Sequence, residues 1–192
     1  GNPFTITCLP NQQMLGFFGR SGNIVDALGV FYQTGLYCTL TAQHSKRYLS
    51  TPSASTLTPG SAVVQNGNNP EAGGAFNGVD SQEWLLVPTA TTDYYYIRQK
   101  ASGLHLEPSS TTQSAALVLN NPSAADSQLW QLQPSGNAVV AYSITNKATG
   151  MVMDVSGANR NEDAAVIQWP ASGASNQQWK LDIVRPRVSV YY

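Results

Sequence analysis

The tripeptide Gln-x-Trp occurs three times, as Gln82-Glu83-Trp84, Gln128-Leu129-Trp130 and Gln177-Gln178-Trp179. Gln82 to Gln128 is 46 residues and Gln128 to Gln177 is 49. A period of that length marks a chain built from related supersecondary units. Each motif runs into an alternating apolar stretch: Leu85-Leu86-Val87, Gln131-Leu132-Gln133 and Lys180-Leu181-Asp182-Ile183. Three short strand-like runs precede each motif. The first runs lie at 37–41, 95–98 and 142–145, the second at 48–50, 104–107 and 151–154, and the third at 62–64, 116–119 and 165–167. Clusters of Gly, Ser, Asn and Pro separate them, so every unit reads as four short strands.

A four-stranded unit of this size cannot bury its apolar face alone. Three such units closing around a common axis share one core. No stretch keeps a 3.6-residue period, so helix is not expected and the fold class is all-β. With 42% apolar residues, nine Tyr, five Phe and four Trp, the chain has material for a core and does not read as disordered. Ten Lys and Arg against eleven Asp and Glu leave a formal charge of −1. No basic stripe is available to neutralise a phosphate backbone, which argues against nucleic acid as a partner. No apolar run approaches the roughly 20 residues of a bilayer span, so no membrane insertion is expected. Nothing at the amino terminus reads as a signal peptide, and no Asn-x-Ser/Thr sequon occurs. The chain is expected to be soluble, with cytosolic and secreted locations both open.

With three Gln-x-Trp units in register with matching strands, residues 37–184 resemble the ricin-B-type β-trefoil, a carbohydrate-binding family. In that family the Trp is a core residue and the Gln braces a turn, so the motif itself speaks for fold. The resemblance implies a sugar site made from an Asp at the end of the second strand, an aromatic near the third strand and an Asn before the Gln. Such groups suit a pyranose: a carboxylate accepts from hydroxyls, an amide donates and accepts, and a ring packs on the C–H face. The third unit carries that set as Asp154, Trp169, Asn176 and Gln177, with Gln168 as a rim contact. The second offers Glu107 and Asn121 with Ser127, and no aromatic. The first has Ser50, Asn66 and Ser81 at the corresponding places and reads as structural.

Residues 1–36 stand outside the repeat. Gly16-Phe17-Phe18-Gly19-Arg20-Ser21-Gly22 and Asp26-Ala27-Leu28-Gly29-Val30 resemble the closing strands of a jacalin-related lectin. That resemblance implies a Gly-x-x-x-Asp sugar loop at Gly22 and Asp26, with mannose as a candidate ligand. The earlier strands of a β-prism are absent, so the segment is expected to pair with the trefoil, with a second copy as a homodimer, or with a companion chain. Residues 185–192 form a strand-like tail.

Other chemistry is largely excluded. His44 and His105 lie in different units without the third ligand that zinc requires, and His44 reads as a solvated turn residue. Gly19-Arg20-Ser21-Gly22 is no nucleophile elbow, because position 23 is Asn. Glu162-Asp163 shows no facing carboxylate geometry. No catalytic residue, metal or cofactor is expected. Cys8 and Cys38 are either a disulfide or buried thiols. The expected function is that of a lectin for galactose or N-acetylgalactosamine, able to agglutinate cells if several sites act together. A protein-binding trefoil such as a protease inhibitor, or the targeting module of a larger toxin or enzyme, remains an alternative.

Overall fold

A computed structural model describes residues 12–21, 25–34, 36–52, 56–67, 81–135 and 141–184, and only the backbone through residue 36. Two ten-residue strands, β1 (Gln12–Ser21) and β2 (Val25–Thr34), pair antiparallel and form a separate two-stranded sheet. The two strands of the segment thus serve first as each other's partner. A chain neighbour is the partner that costs least in loop-closure entropy. Gly22 lies outside the described residues, and Asp26 is placed only as a backbone position in β2.

The remaining thirteen strands form one sheet in three repeats. Repeat one holds β3 (Leu36–Ala42), β4 (Tyr48–Ser50), a third strand broken at Val63 into β5 (Ser61–Ala62) and β6 (Val64–Asn66), and β7 (Trp84–Pro88). Repeat two holds β8 (Tyr94–Gln99), β9 (His105–Pro108), β10 (Leu117–Asn120) and β11 (Leu129–Ser135). Repeat three holds β12 (Ala141–Asn146), β13 (Val152–Val155), β14 (Ala164–Trp169) and β15 (Trp179–Ile183).

The outer strands of each repeat pair in a closed antiparallel ring: β3 with β7, β7 with β8, β8 with β11, β11 with β12, β12 with β15, and β15 with β3. The inner strands form three hairpins, β4–β6, β9–β10 and β13–β14. These hairpins meet one another through β10–β5, β14–β6 and a bridge between Ala116 and Ile167. The architecture is a β-trefoil. Alternation supplies the buried face: in β8, Ile97 and Gln99 are buried while Arg98 between them is exposed.

Trp84, Trp130 and Trp179 are all fully buried. Each indole N–H donates to the carbonyl of the second residue of the second strand: Leu49 at 3.0 Å, Leu106 at 2.8 Å and Met153 at 3.1 Å. Burying each ring supplies about 4–6 kcal/mol of transfer free energy, and the hydrogen bond removes the penalty of a buried donor. Around them pack Leu40, Leu49, Ile97, Leu106, Leu119, Ile144 and Val166. Cys38 belongs to this core as a free thiol, and burial pushes its pKa up to about 12. Cys8 lies outside the described residues.

Tight turns between the first and second strands also repeat. Lys46, Gly103 and Gly150 sit at φ 61°, 72° and 67°, and their N–H groups donate to Ala42, Gln99 and Asn146, each at 2.9 Å. Glycine suits this left-handed position in repeats two and three, and repeat one holds a lysine there.

Candidate functional site

In the β13–β14 hairpin, Asp154 is opposite Ile167 and Val152 is opposite Trp169. Opposed residues share a face and side chains alternate, so Asp154 and Trp169 are diagonal neighbours on one face, about 7–8 Å apart between backbones. Met153 and Gln168 point to the other face. Asp154 is 4% exposed and Trp169 is 37% exposed. The acid is therefore recessed beside an outward indole.

The chain returns to this face through a 3₁₀ turn, Ser175–Gln177, just before β15. That turn sets two amides on one carboxylate oxygen. Asn176 Nδ2 donates to Asp154 Oδ2 at 3.0 Å and to the Val155 carbonyl at 3.1 Å. Gln177 Nε2 donates to Asp154 Oδ2 at 2.8 Å and to the Pro170 carbonyl at 3.0 Å. Asp154 Oδ1 has no protein donor among the described residues. Burial moves the Asp154 carboxyl above its ordinary pKa; donation from Gln177 and Asn176 and the nearby His44 charge oppose that shift.

The five expected contacts thus divide. Asp154, Trp169 and Asn176 meet at one surface. Gln177 is buried, and its carbonyl oxygen accepts from the Ser172 N–H at 2.7 Å and hydroxyl at 3.0 Å, so its amide is occupied at both ends. It orients the acid. Gln168 departs from the expected rim position because strand alternation turns it away from Trp169. It is fully buried, donates to the Ser110 and Thr112 carbonyls at 3.0 and 2.7 Å, and accepts from the Thr149 hydroxyl at 2.8 Å.

Repeat two has a different register from the one expected. Val118 is opposite Glu107, so Asn120, two residues on, occupies the place of Trp169. Its Nδ2 donates to Glu107 Oε1 at 2.5 Å, and the Ser127 hydroxyl donates to Oε2 at 3.1 Å. Asn121 instead contributes its backbone carbonyl to Gln128 Nε2 at 2.9 Å. In repeat one the positions of Asp154 and Trp169 are taken by Ser50 and Asn66, and Asn66 bonds to Asp163.

The histidines also gain definite roles. His44 is 7% exposed, contrary to a solvated turn, and bonds through Nε2 to the Asn159 carbonyl at 2.9 Å. His105 stacks on Tyr96 with ring centroids 4.7 Å apart and bonds through Nδ1 to Gln128 at 3.1 Å. Burial lowers its pKa. Among the described residues no group of three His, Cys, Asp or Glu is arranged to hold a metal, and no helix is long and apolar enough to cross a membrane.

Asn120 was missed because the strand register that opposes it to His105 is set by pairing, which the sequence alone does not display. The burial of His44 comes from a loop 115 residues away.

Comparison with known proteins agrees with the trefoil architecture. The crystal structure of the designed three-fold symmetric protein ThreeFoil is similar at 33% identity and a TM-score of 0.65, covering 76% of this chain and 96% of that one. The Macrolepiota procera ricin B-like lectin, in complex with lactose, matches at 18% identity and a TM-score of 0.63, covering 80% of this chain and 98% of its own. The exo-β-1,3-galactanase 1,3Gal43A from Clostridium thermocellum matches at 22% identity and a TM-score of 0.69; this chain is 82% covered but spans only 32% of the galactanase. No curated protein matches the chain. No jacalin-related lectin is among these likenesses, and they lend no support to that resemblance for residues 1–36. The family model described as ricin-type β-trefoil lectin domain-like matches residues 80–169 and 126–192, and together with the threefold Gln-x-Trp frame this shows that the chain belongs to that family.

Proposed function

We propose that this chain is a lectin that binds galactose- or N-acetylgalactosamine-type sugars through Asp154, Trp169 and Asn176 of repeat three. The observation that carries the reading is the free Oδ1 of a recessed, amide-braced carboxylate diagonal to an exposed indole. Asp154 Oδ1 accepts from adjacent ring hydroxyls, Asn176 adds an amide, and the Trp169 face packs on the apolar side of the pyranose. Gln177 fixes the acid without touching sugar. No chemical step is assigned, and binding alone accounts for the geometry. The lactose complex of the Macrolepiota procera lectin supports a galactose-type ligand. The likeness to about a third of an exo-β-1,3-galactanase supports reading this fold as one module of a longer protein.

Isothermal titration with lactose tests this. Wild type is expected to bind, Asp154→Ala to lose at least about tenfold in affinity, and Trp169→Ala to lose less. Equal binding by wild type and Asp154→Ala would remove the assignment.

A further inference from the structure

The wall beside Asp154 is held from another repeat. After Val155 the chain passes through the turn Ser156–Ala158, where Gly157 and Ala158 both lie in the left-handed region at φ 60° and 49°. It then runs through Asn159, Arg160 and Asn161 toward β14. The carbonyls of those three residues accept from repeat one. Asn159 O accepts from His44 Nε2 at 2.9 Å and Gln65 Nε2 at 2.8 Å. Arg160 O accepts from Arg47 Nε at 2.6 Å, and Asn161 O from Gln65 Nε2 at 2.9 Å. Arg47 also pairs with Glu162, whose second oxygen accepts from Gly67 N–H at 2.8 Å. Asn66 and Asp163 exchange two further bonds at 3.0 and 2.9 Å.

His44 is the buried member of this hold. A carbonyl only accepts, so Nε2 carries the proton in the bond to Asn159. Nδ1 is buried with no partner among the described residues. The other charged groups nearby have their own partners: Lys46 donates to Gln43 at 3.0 Å, Arg47 meets Glu162, and Asp163 meets Asn66. Arg160 contributes a backbone carbonyl to the hold. The groups bonded directly to Asp154, Asn176 and Gln177, are neutral.

We propose that repeat one is the scaffold of the sugar site in repeat three, with His44 as its positioning residue, holding the Asn159 carbonyl through Nε2–H. This rests on the lectin reading for its consequence in binding, and its test is readable without sugar.

The test compares wild type with His44→Gln and His44→Leu. Glutamine keeps an N–H donor for Asn159, and leucine removes it. Amide hydrogen exchange is followed over residues 158–161, and lactose affinity is measured by calorimetry. Exchange over 158–161 is expected to stay near wild type in His44→Gln and to quicken about tenfold in His44→Leu. Lactose affinity is expected to stay near wild type in His44→Gln and to fall severalfold in His44→Leu. Unchanged exchange in His44→Leu overturns the hold, and unchanged lactose affinity in His44→Leu overturns the positioning role. Quickened exchange with no lactose binding by wild type removes the lectin reading and leaves the role of His44 intact.

Discussion

In repeat three the Asp154 carboxylate keeps one oxygen clear of donors among the described residues, because both amides converge on the other. In repeat two the Glu107 carboxylate has a donor on each oxygen, Asn120 on one and Ser127 on the other. The two acids occupy equivalent places in equivalent hairpins, and the indole below each bonds to the residue just before its acid. One methylene of extra reach and an Asn where Trp169 stands convert a receptive acid into an internally satisfied one. Backbone symmetry and site chemistry are therefore carried by different residues, and a repeat can keep the first after losing the second.

The comparison breaks most severely where it claims sameness. Trp130→Ala and Trp179→Ala should each cost about 3–5 kcal/mol in urea unfolding, since both delete a fully buried ring and strand a carbonyl. A difference well beyond 1 kcal/mol between them would mean the repeats do not share the core equally. Where the comparison claims difference, Glu107→Asp with Asn120→Trp should create a second lactose site, read as a doubling of calorimetric stoichiometry with affinity within roughly tenfold of the first. Failure to gain a site would show that the turn preceding each Gln matters more than the hairpin pair.

Protonation sharpens the contrast further. The folded pKa of Asp154 is raised, so the folded state holds that proton more tightly than the unfolded chain. Its ionisation therefore lowers stability once pH climbs above the unfolded value, and that loss is relieved as pH falls back through the raised one. Sugar affinity should move the opposite way and fall on acidification. Urea unfolding and lactose titration between about pH 4 and 7 should diverge in wild type, and Asp154→Asn should flatten this contribution to both curves. The smallest effect concerns the turn at Lys46. Lys46→Gly should raise stability by about 0.5–1 kcal/mol, because the left-handed backbone costs lysine more than glycine, whereas Gly103→Ala and Gly150→Ala should lower it.

Much of the fold was legible in the sequence because the three indoles and the runs around them recur in order. The acid, the indole and Asn176 were legible as a set. The inward direction of Gln168 could have been read from alternation, since an outward Trp169 forces its neighbour to the other face. The register that favours Asn120 over Asn121 was not legible, because it depends on which residue of β9 each one opposes. The burial of His44 depends on a loop from the far end of the chain, and local composition around Gln43-His44-Ser45-Lys46 could only suggest solvent. Gln177 carried the right position and a different role, since its reach to Asp154 follows from the 3₁₀ turn.

The ring is sealed where the first and last trefoil strands meet: β15 runs beside β3 for five residue pairs, from Trp179 with Ala42 to Ile183 with Cys38, and Val184 N–H reaches the Tyr37 carbonyl at 2.9 Å. The seam that chain order creates is thus bridged by the same kind of ladder as any internal joint. Peptide connectivity is only one of three equivalent ways to thread this barrel, and a covalent link across that seam with a new opening at 89–93, between β7 and β8, would leave every ladder in place.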